Sequence, residues 1–255
     1  MALNLETTIY SGYSPSQKPK PKPWGKILTA IFWLAVLLGA IYFFFFSNYF
    51  KIKDIIVEGT NKISSEQIKN DVQKMVEQQD NLFLFDKGKA VRDLSNIAGI
   101  KTVEIYRGVP NALKVKITER EEKLIWKTGD ERFLLDSDGT AFEKAPDDST
   151  LPVVEDKKAN KVEKGRIVVS TEFINFVTEL IKNLESKTQL KIISLYVPES
   201  TYELYLATDA GFTIYFDTMG DPAYQVDALV KVLPQLSGKN IEYVDLRTPN
   251  WLYYK

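Results

Sequence analysis

Acidic residues are the main candidates for chemistry in this 255-residue sequence, because it contains neither histidine nor cysteine. Histidine is the usual general base near neutral pH and the commonest metal ligand, and the cysteine thiolate is a common nucleophile. Asp136, Asp138 and Gly139 begin like a calcium loop, but the further acids of such a loop are missing. Asp-Gly is instead typical of a hairpin turn. Asp147 and Asp148 have no partner acid at a recognisable spacing.

The motifs of nucleophilic and phosphate-binding sites are also absent from the sequence. It contains no G-x-S-x-G, S-x-x-K, P-loop or G-x-G-x-x-G pattern. A net charge of −1 argues against a nucleic-acid scaffold, whose phosphate contacts need clustered Lys and Arg. We therefore expect no catalysis, no cofactor, no metal, no small-molecule substrate and no nucleic acid. A membrane-anchored cell-wall hydrolase is the least favoured alternative.

One segment, Ile27–Phe46, is 20 residues long and carries no charged side chain. As a helix it would be about 30 Å long, which matches the hydrocarbon core of a bilayer. Trp24, Tyr42 and Tyr49 stand where membrane-interface aromatic belts form. A cleaved signal peptide is the competing interpretation, but the phenylalanine run at the end of the segment offers no small-residue cleavage site. The sequence predicts an uncleaved transmembrane helix over residues 27–46.

The flanks of this helix indicate its orientation. Residues 1–26 carry four lysines and one glutamate, whereas the chain after the helix has more acids than bases. The positive-inside rule then places the tail 1–26 in the cytoplasm and the C-terminal part outside the cell membrane. The absence of cysteine fits an exported bacterial segment. The extended Lys-Pro repeat Lys18–Pro23 is either only a topology signal, which we favour, or a strip that contacts lipid or a partner.

The exported part falls into two pieces, of which the first covers residues 50–119. A short apolar strand is followed by a helix that Ser64 caps and by a second helix from Asp86. Val103–Arg107 and Ala112–Thr118 then form a hairpin. Apolar and polar residues alternate in its second strand, which predicts one buried face and one wet face.

The second piece, residues 120–255, reads as a β-rich domain with two helices. Ser170 begins a helix with one apolar stripe, which we assign to core packing, and Asp221-Pro222 begins the other. Strands surround these helices, and Ile241–Arg247 with Trp251–Tyr254 is expected to close the chain as a hairpin. The fold class is therefore α+β, with an antiparallel sheet and the helices on one of its faces.

The last strand is the best physical candidate for a binding site. A terminal strand leaves unpaired N–H and C=O groups, which soluble proteins usually blunt with charge or proline. Trp251–Tyr254 is uncharged and rich in residues favoured at interfaces, so it could pair with a strand of another chain. Packing within the chain is the alternative. Asp245 and Arg247 form either an ion pair or part of the contact.

The order strand, helix, helix, strand, strand is that of a POTRA domain. The anchor is followed by Phe50–Ser64, FKIKDIIVEGTNKIS, and the hairpin ends in Val115–Glu121, VKITERE. Phe133–Phe142, FLLDSDGTAF, looks like a strand-turn-strand, and Tyr243–Arg247 reads YVDLR. In this arrangement, from the anchor to the C-terminus, the chain resembles the FtsQ/DivIB family of bacterial cell-division proteins.

The resemblance implies a non-enzymatic scaffold in the bacterial cell membrane, concentrated at the division septum, that links early and late division proteins. It implies FtsB-like and FtsL-like partners, with a segment of FtsB pairing with the last strand. The implied partner-binding residues are Arg247, Thr248, Trp251, Leu252, Tyr253, Tyr254 and Lys255.

The sequence departs from the family pattern beside this strand. Thr248 stands where family members have an aromatic residue, and Pro249-Asn250 replaces a turn glycine. Asparagine tolerates the same backbone conformation, and Trp251 or Tyr253 could supply the aromatic contact.

The first piece, if it is a POTRA domain, could provide a second docking surface for extended peptides, although Lys114 and Lys116 could equally form a solvated face. The runner-up function is a POTRA-type chaperone or receptor for exported or outer-membrane proteins. Such receptors usually carry repeated POTRA units and barrel strands, and neither pattern is visible here.

Overall fold

A computed structural model of the chain describes residue 12 and residues 24–236, 238–249 and 251–255. The Lys-Pro repeat Lys18–Pro23 and the turn residue Asn250 lie outside the described residues.

The first described element is a helix, α1, Trp24–Phe46, which contains the whole of the predicted apolar segment. None of its residues is buried against the rest of the protein. Within the described residues it is the one helix long and apolar enough to cross a membrane. A short 3-10 turn, Asn48–Phe50, follows and is capped by the Ser47 hydroxyl, which accepts the Tyr49 N–H at 3.1 Å.

The next five elements form what we call the POTRA unit. They are β1 (Asp54–Glu58), α2 (Ser65–Gln78), α3 (Lys87–Ser95), β2 (Ile100–Gly108) and β3 (Ala112–Glu119). The predicted element order is confirmed. Side chains at both helix starts accept backbone N–H groups, Ser64 from Gln67 at 3.3 Å and Asp86 from Lys89 at 2.9 Å. These caps satisfy donors that the first helical turn would otherwise leave unpaired.

The POTRA sheet has the strand order β1-β3-β2, with β3 parallel to β1 and antiparallel to β2. In β3 the apolar residues Leu113, Val115 and Ile117 are buried in the core, as their alternation predicts. Lys114 and Lys116 lie on the exposed face. They form ion pairs with acids of the neighbouring strands, at 2.9 Å and 3.9 Å respectively.

The remaining elements form what we call the β unit. Its strands are β4 (Leu124–Thr128), β5 (Glu131–Leu135), β6 (Thr140–Lys144), β7 (Val153–Asp156), β8 (Arg166–Ile167), β9 (Ile192–Val197), β10 (Glu203–Thr208), β11 (Thr213–Asp217), β12 (Tyr243–Asp245) and β13 (Tyr253–Tyr254). Its helices are α4 (Thr171–Lys187) and α5 (Pro222–Leu236).

These ten strands make one sheet in the order β13-β12-β11-β10-β9-β7-β4-β5-β6-β8. The expectation of an antiparallel sheet is corrected, because the sheet is mixed: β4 pairs with β7, β7 with β9 and β11 with β12 in parallel. Two of these pairs flank connections that contain a helix, α4 or α5. A helical crossover returns the chain to the same end of the sheet, so the next strand runs parallel to the earlier one.

Both helices pack on one face of this sheet, as predicted. The apolar stripe of α4 (Phe173, Phe176, Val177, Leu180 and Leu184) is buried there, and Val226 and Leu229 of α5 join the same core. On the opposite face a smaller cluster forms around Ile125, Leu134 and Phe142 under the loop before β7. The sheet is therefore covered on one side and partly open on the other.

Charged contacts join the two units at the β5–β6 turn. The Arg120 guanidinium, just after β3, pairs with the fully buried carboxylate of Asp136. The Lys101 ammonium of β2 pairs with Asp138 at 2.7 Å. The turn predicted for this acidic segment is confirmed, with Gly139 at φ +73° and its N–H bonded to the Asp136 carbonyl at 3.0 Å.

Candidate partner-binding site at the sheet edge

The terminal strand β13 lies at one edge of the ten-stranded sheet and pairs with β12 alone. The Lys255 N–H donates to the Tyr243 carbonyl at 3.2 Å, and the Tyr243 N–H donates to the main-chain oxygen of Lys255 at 3.4 Å. In an antiparallel ladder such mutually bonded pairs alternate with unbonded ones. Tyr254 stands in the next, unbonded pair with Val244. Its N–H and C=O therefore point away from β12, toward the open edge.

The position of β12 is fixed by helix α5. Asp221 caps this helix by accepting the N–H groups of Ala223 at 2.7 Å and Tyr224 at 3.2 Å. The helix then crosses the sheet face, Gly238 turns the chain at φ +77°, and β12 runs parallel to β11. The hairpin predicted here is shorter than expected, since its strands span only Tyr243–Asp245 and Tyr253–Tyr254.

The described residues between β12 and β13, together with α5, enclose a cavity of about 360 Å³. Thr248, Trp251 and Leu252 line it from one side, and Ala228 and Val232 of α5 line it from the other. The Trp251 side chain is 67 % exposed, whereas Leu252 is half-buried against the core. The cavity also has polar and charged side chains of α5 on its wall, among them Asp227 and Lys231, so it is a recess of mixed character beside the open strand edge.

Arg247 lies on the other face of the sheet and is held by several groups. Its guanidinium bonds to both carboxylate oxygens of Asp245, at 2.9 Å and 2.6 Å, and to Glu203 at 2.8 Å. Burial alone would raise the pKa of Asp245, but the hydrogen bonds and charge of Arg247 outweigh it and hold that pKa below its usual range. The same interactions raise the pKa of Arg247. The sequence left an ion pair or a contact role open, and the geometry shows the ion pair.

Four tyrosines form a ladder on this open face, and the sequence did not single them out. Tyr196, Tyr205, Tyr215 and Tyr243 come from β9, β10, β11 and β12, with successive ring centroids 5.5, 4.0 and 5.2 Å apart. The Arg247 guanidinium lies over two of these rings. Burial, together with nearby acidic groups and despite the opposing charge of Arg247, raises the pKa of Tyr205 to about 12.

The seven predicted partner-binding residues therefore divide into three groups. Tyr253, Tyr254 and Lys255 form the strand edge, and the Lys255 ammonium pairs with Glu242 at 3.0 Å. Thr248, Trp251 and Leu252 line the recess beside it. Arg247 lies apart from both groups, among the acids and rings of the open face. The alternation of apolar and polar residues could have placed Tyr205 and Tyr215 on one face of the sheet. Their stacking could not be predicted in this way, because it depends on the strand order.

The acids considered for catalysis have structural partners or lie exposed. The Asp136 carboxylate accepts the N–H groups of Asp138 at 3.0 Å and Thr140 at 2.9 Å besides pairing with Arg120. Asp147 and Asp148 are exposed in a loop. Across residue 12 and residues 24–255 without 237 and 250, no group of three or more metal-ligating side chains comes together.

Comparison with known proteins gives matches along most of the chain. Residues 50–120 match the model of the FtsQ-type POTRA domain, and residues 124–247 match that of the C-terminal region of the cell division protein FtsQ/DivIB. The second match ends before β13.

Individual relatives agree with these family models. A cell division protein FtsQ from Chloroflexus aurantiacus is 23 % identical over 90 % of this chain and 82 % of its own length. One from Rickettsia bellii is 24 % identical over 80 % of this chain and 72 % of its own. A cell division protein DivIB from Clostridium botulinum is 25 % identical over 58 % of this chain, and the match spans 60 % of that protein. The chain belongs to the FtsQ/DivIB family of cell-division proteins.

Proposed function

We propose that this protein is a membrane-anchored, non-enzymatic scaffold of the division machinery that holds FtsB-like and FtsL-like proteins. In this proposal α1 spans the membrane, residues 1–26 stay in the cytoplasm, and a POTRA domain (50–119) and a β domain (120–255) are exported. We also propose that the protein concentrates at the division septum. The observation that carries the partner assignment is the open edge of β13, where Tyr254 presents its N–H and C=O outward.

The chemistry of this edge favours the addition of a partner strand. Main-chain bonds supply the affinity in such pairing, and pockets for alternate side chains supply the specificity. Neither proline nor an inward-pointing charge blunts β13. Of the two lysines beside it, Lys255 is paired with Glu242, and Lys239 lies over the ring of Tyr254 at 5.4 Å. An incoming strand would also pass the recess under Trp251, which can take up an apolar side chain.

Arg247 has a positioning role in this proposal. Its guanidinium joins β12 to β10 through Glu203, so it holds in place the strand on which β13 is built. Bidentate arginine–carboxylate pairs such as the one with Asp245 fix geometry as well as adding energy. We expect that replacing Arg247 would displace the edge of β13 and thereby weaken partner binding.

The test uses the full chain in detergent and measures its affinity for a purified complex of FtsB-like and FtsL-like proteins from the same organism. Tyr254→Pro removes the outward N–H and places a ring at the edge, yet leaves the bonds to β12 intact. Tyr254→Ala removes the side chain but keeps the N–H, so it is the matched control. A chain stopped after Arg247 gives the reference for complete loss of the edge.

We expect Tyr254→Pro to weaken binding about tenfold or more, since blocking an added strand costs more than one net hydrogen bond. Tyr254→Ala should change affinity less, and the truncated chain should not bind. Thermal unfolding must show that all three variants stay folded. Equal affinity of the proline variant and the unaltered chain would refute edge pairing, and capture of unfolded exported proteins in place of the division complex would favour the chaperone function.

A further inference from the structure

The end of α1 is joined to the POTRA unit by the side chain of Asn81. Its amide nitrogen donates to the carbonyl oxygens of Phe44 and Phe45, both at 3.0 Å. The last carbonyls of a helix have no partner within the helix, so these bonds act as a cap supplied from another part of the chain. Asn81 is only 6 % exposed, so this contact is part of the packed junction between α1 and the POTRA unit.

The same asparagine also shapes the loop Asn81–Phe85, which we call the junction loop. Its side-chain oxygen accepts the N–H groups of Phe83 at 2.9 Å and Leu84 at 3.3 Å. Arg107 of β2 holds the loop from the other side, donating to the carbonyls of Leu82 at 2.7 Å, Phe83 at 3.1 Å and Phe85 at 3.2 Å. The loop therefore has little freedom to move relative to the POTRA sheet.

Aromatic packing and backbone pairing complete the junction. The Phe50 ring stacks on Phe44, with centroids 5.2 Å apart, and contacts Phe83 edge-on at 5.0 Å. The Leu82 N–H donates to the Phe50 carbonyl at 2.9 Å, and the Ile52 N–H donates to the Asp80 carbonyl at 2.8 Å. The chain leaving the helix is thus tied to the junction loop by side chains and main chain together.

One apolar side chain of this loop has no place in the core. Leu84 is 45 % exposed, next to residues that hold the last turn of α1. Residues 27–46 of α1 match the roughly 30 Å hydrocarbon core, so the helix ends where that core meets the interfacial layer of the bilayer. Leu84 and the nearby Tyr49, 58 % exposed, would be covered by lipid at this boundary.

We propose that the junction loop is a lipid-contacting joint that holds the POTRA unit in a fixed orientation against the membrane. The occupant of this surface is the bilayer itself, because the loop is bonded directly to the helix that enters it. The inference rests on the proposed membrane span of α1. Besides that span, Leu84 would provide a second attachment to the membrane. Asn81 would be the locking residue that fixes the junction loop to α1.

The absence of cysteine permits a clean test with the full chain in vesicles of phosphatidylcholine and phosphatidylglycerol. An environment-sensitive fluorophore is attached to Leu84→Cys or, as a control, to Glu66→Cys, and is quenched by nitroxide-labelled lipid. Glu66 is exposed at the start of α2, while the far end of that 14-residue helix, about 20 Å away, leads to the junction loop. We expect blue-shifted emission and at least threefold stronger quenching at position 84.

The locking role is tested by changing Asn81 in the labelled chain. Asn81→Asp keeps the oxygen that accepts the loop N–H groups but removes both donors to the helix carbonyls, and Asn81→Ala removes all four bonds. Quenching at position 84 should fall by at least half in both variants. Asn70→Asp, which adds the same charge at an exposed position of α2, should leave it unchanged.

Vesicle flotation separates the two proposals. If the chain fails to float with the vesicles, the membrane span itself is refuted and the joint with it. If it floats but positions 84 and 66 are quenched alike, the span stands and lipid contact by the loop is refuted. If the label at position 84 is quenched equally in the chain that keeps Asn81 and in the two Asn81 variants, the locking role is refuted.

Discussion

Replacing Asp136 with alanine should destabilise the β unit strongly, because this carboxylate is fully buried and makes three contacts. Its two oxygens accept the N–H groups of Asp138 and Thr140 and pair with Arg120. Each buried N–H left unsatisfied costs about 1–3 kcal/mol, and breaking a buried ion pair costs about 3–5 kcal/mol. The Arg120 side chain is 20 % exposed and can reach water, so these costs overlap. We expect a loss of about 4 kcal/mol.

For a domain of this size that loss lowers the melting temperature by about 8–16 °C. The assay is thermal unfolding of the full chain in detergent, followed by tryptophan fluorescence. Trp126 is 3 % exposed in the β unit, whereas the other three tryptophans are about two-thirds exposed, so Trp126 dominates the change on unfolding.

Two variants make the measurement specific. Asp136→Asn keeps an oxygen for the two N–H groups and should lose about half as much stability as Asp136→Ala. Asp138→Ala removes an ion pair whose side chains are 33 % and 45 % exposed, worth less than about 1 kcal/mol, and a long hydrogen bond from the Ser137 hydroxyl at 3.4 Å. The reasoning fails if Asp136→Ala lowers the melting temperature by less than about 4 °C, or if the asparagine variant is as unstable as the alanine variant.

Three further outcomes can be measured by thermal unfolding of the full chain, followed by far-ultraviolet circular dichroism where the change lies in the POTRA unit, which contains no tryptophan. Gly59→Ala should destabilise by more than Gly129→Ala: both have positive φ, but only at Gly59 would the new Cβ lie 2.0 Å from a backbone oxygen, and strain alone costs about 1–2 kcal/mol. Ser170→Ala, which removes the cap of α4, should cost about 1 kcal/mol, and no change would refute the cap. The pKa of Asp245 is lowered by Arg247, so its stabilisation is present above the unfolded pKa of about 3.9 and is lost as pH falls through the folded pKa. Asp245→Asn should therefore melt below the unaltered chain at pH 7, the two should converge on acidification, and a constant difference would contradict this.

Local features could be predicted from the sequence because they depend on residues a few positions apart. The Ser170 cap, the apolar stripe of α4 and the alternation of Leu113, Val115 and Ile117 are confirmed. The Asp-Gly turn is also confirmed. It could be predicted locally because Gly139 is the one residue of the turn with a positive φ.

The strand order could not be predicted in the same way. For example, β4 pairs with β7 although β5 and β6 lie between them in the sequence, so no local pattern specifies this pair. The parallel pairs that flank α4 and α5 are different. A helix between two adjacent strands of one sheet makes those strands parallel, so the places of α4 and α5 in the sequence indicate these pairs.

The candidate site likewise has features that could be predicted from the sequence and features that could not. The uncharged terminal segment indicated an open edge, and β13 does lie at one. The tyrosine ladder around Tyr205 depends on register across four strands, and the bonds of Asn81 join residues 36 and 37 positions apart. Neither leaves a pattern in a single sequence.

The POTRA unit is tied down at both of its ends, to α1 through Asn81 and to the β5–β6 turn through Lys101 and Arg120. In the proposed arrangement, with α1 in the membrane, these two joints make the unit a rigid spacer that holds the edge of β13 at a set height above the bilayer. A partner anchored in the same membrane then needs a linker of matching reach between its own span and its pairing strand. Linker length, as well as strand sequence, would decide which membrane proteins can bind.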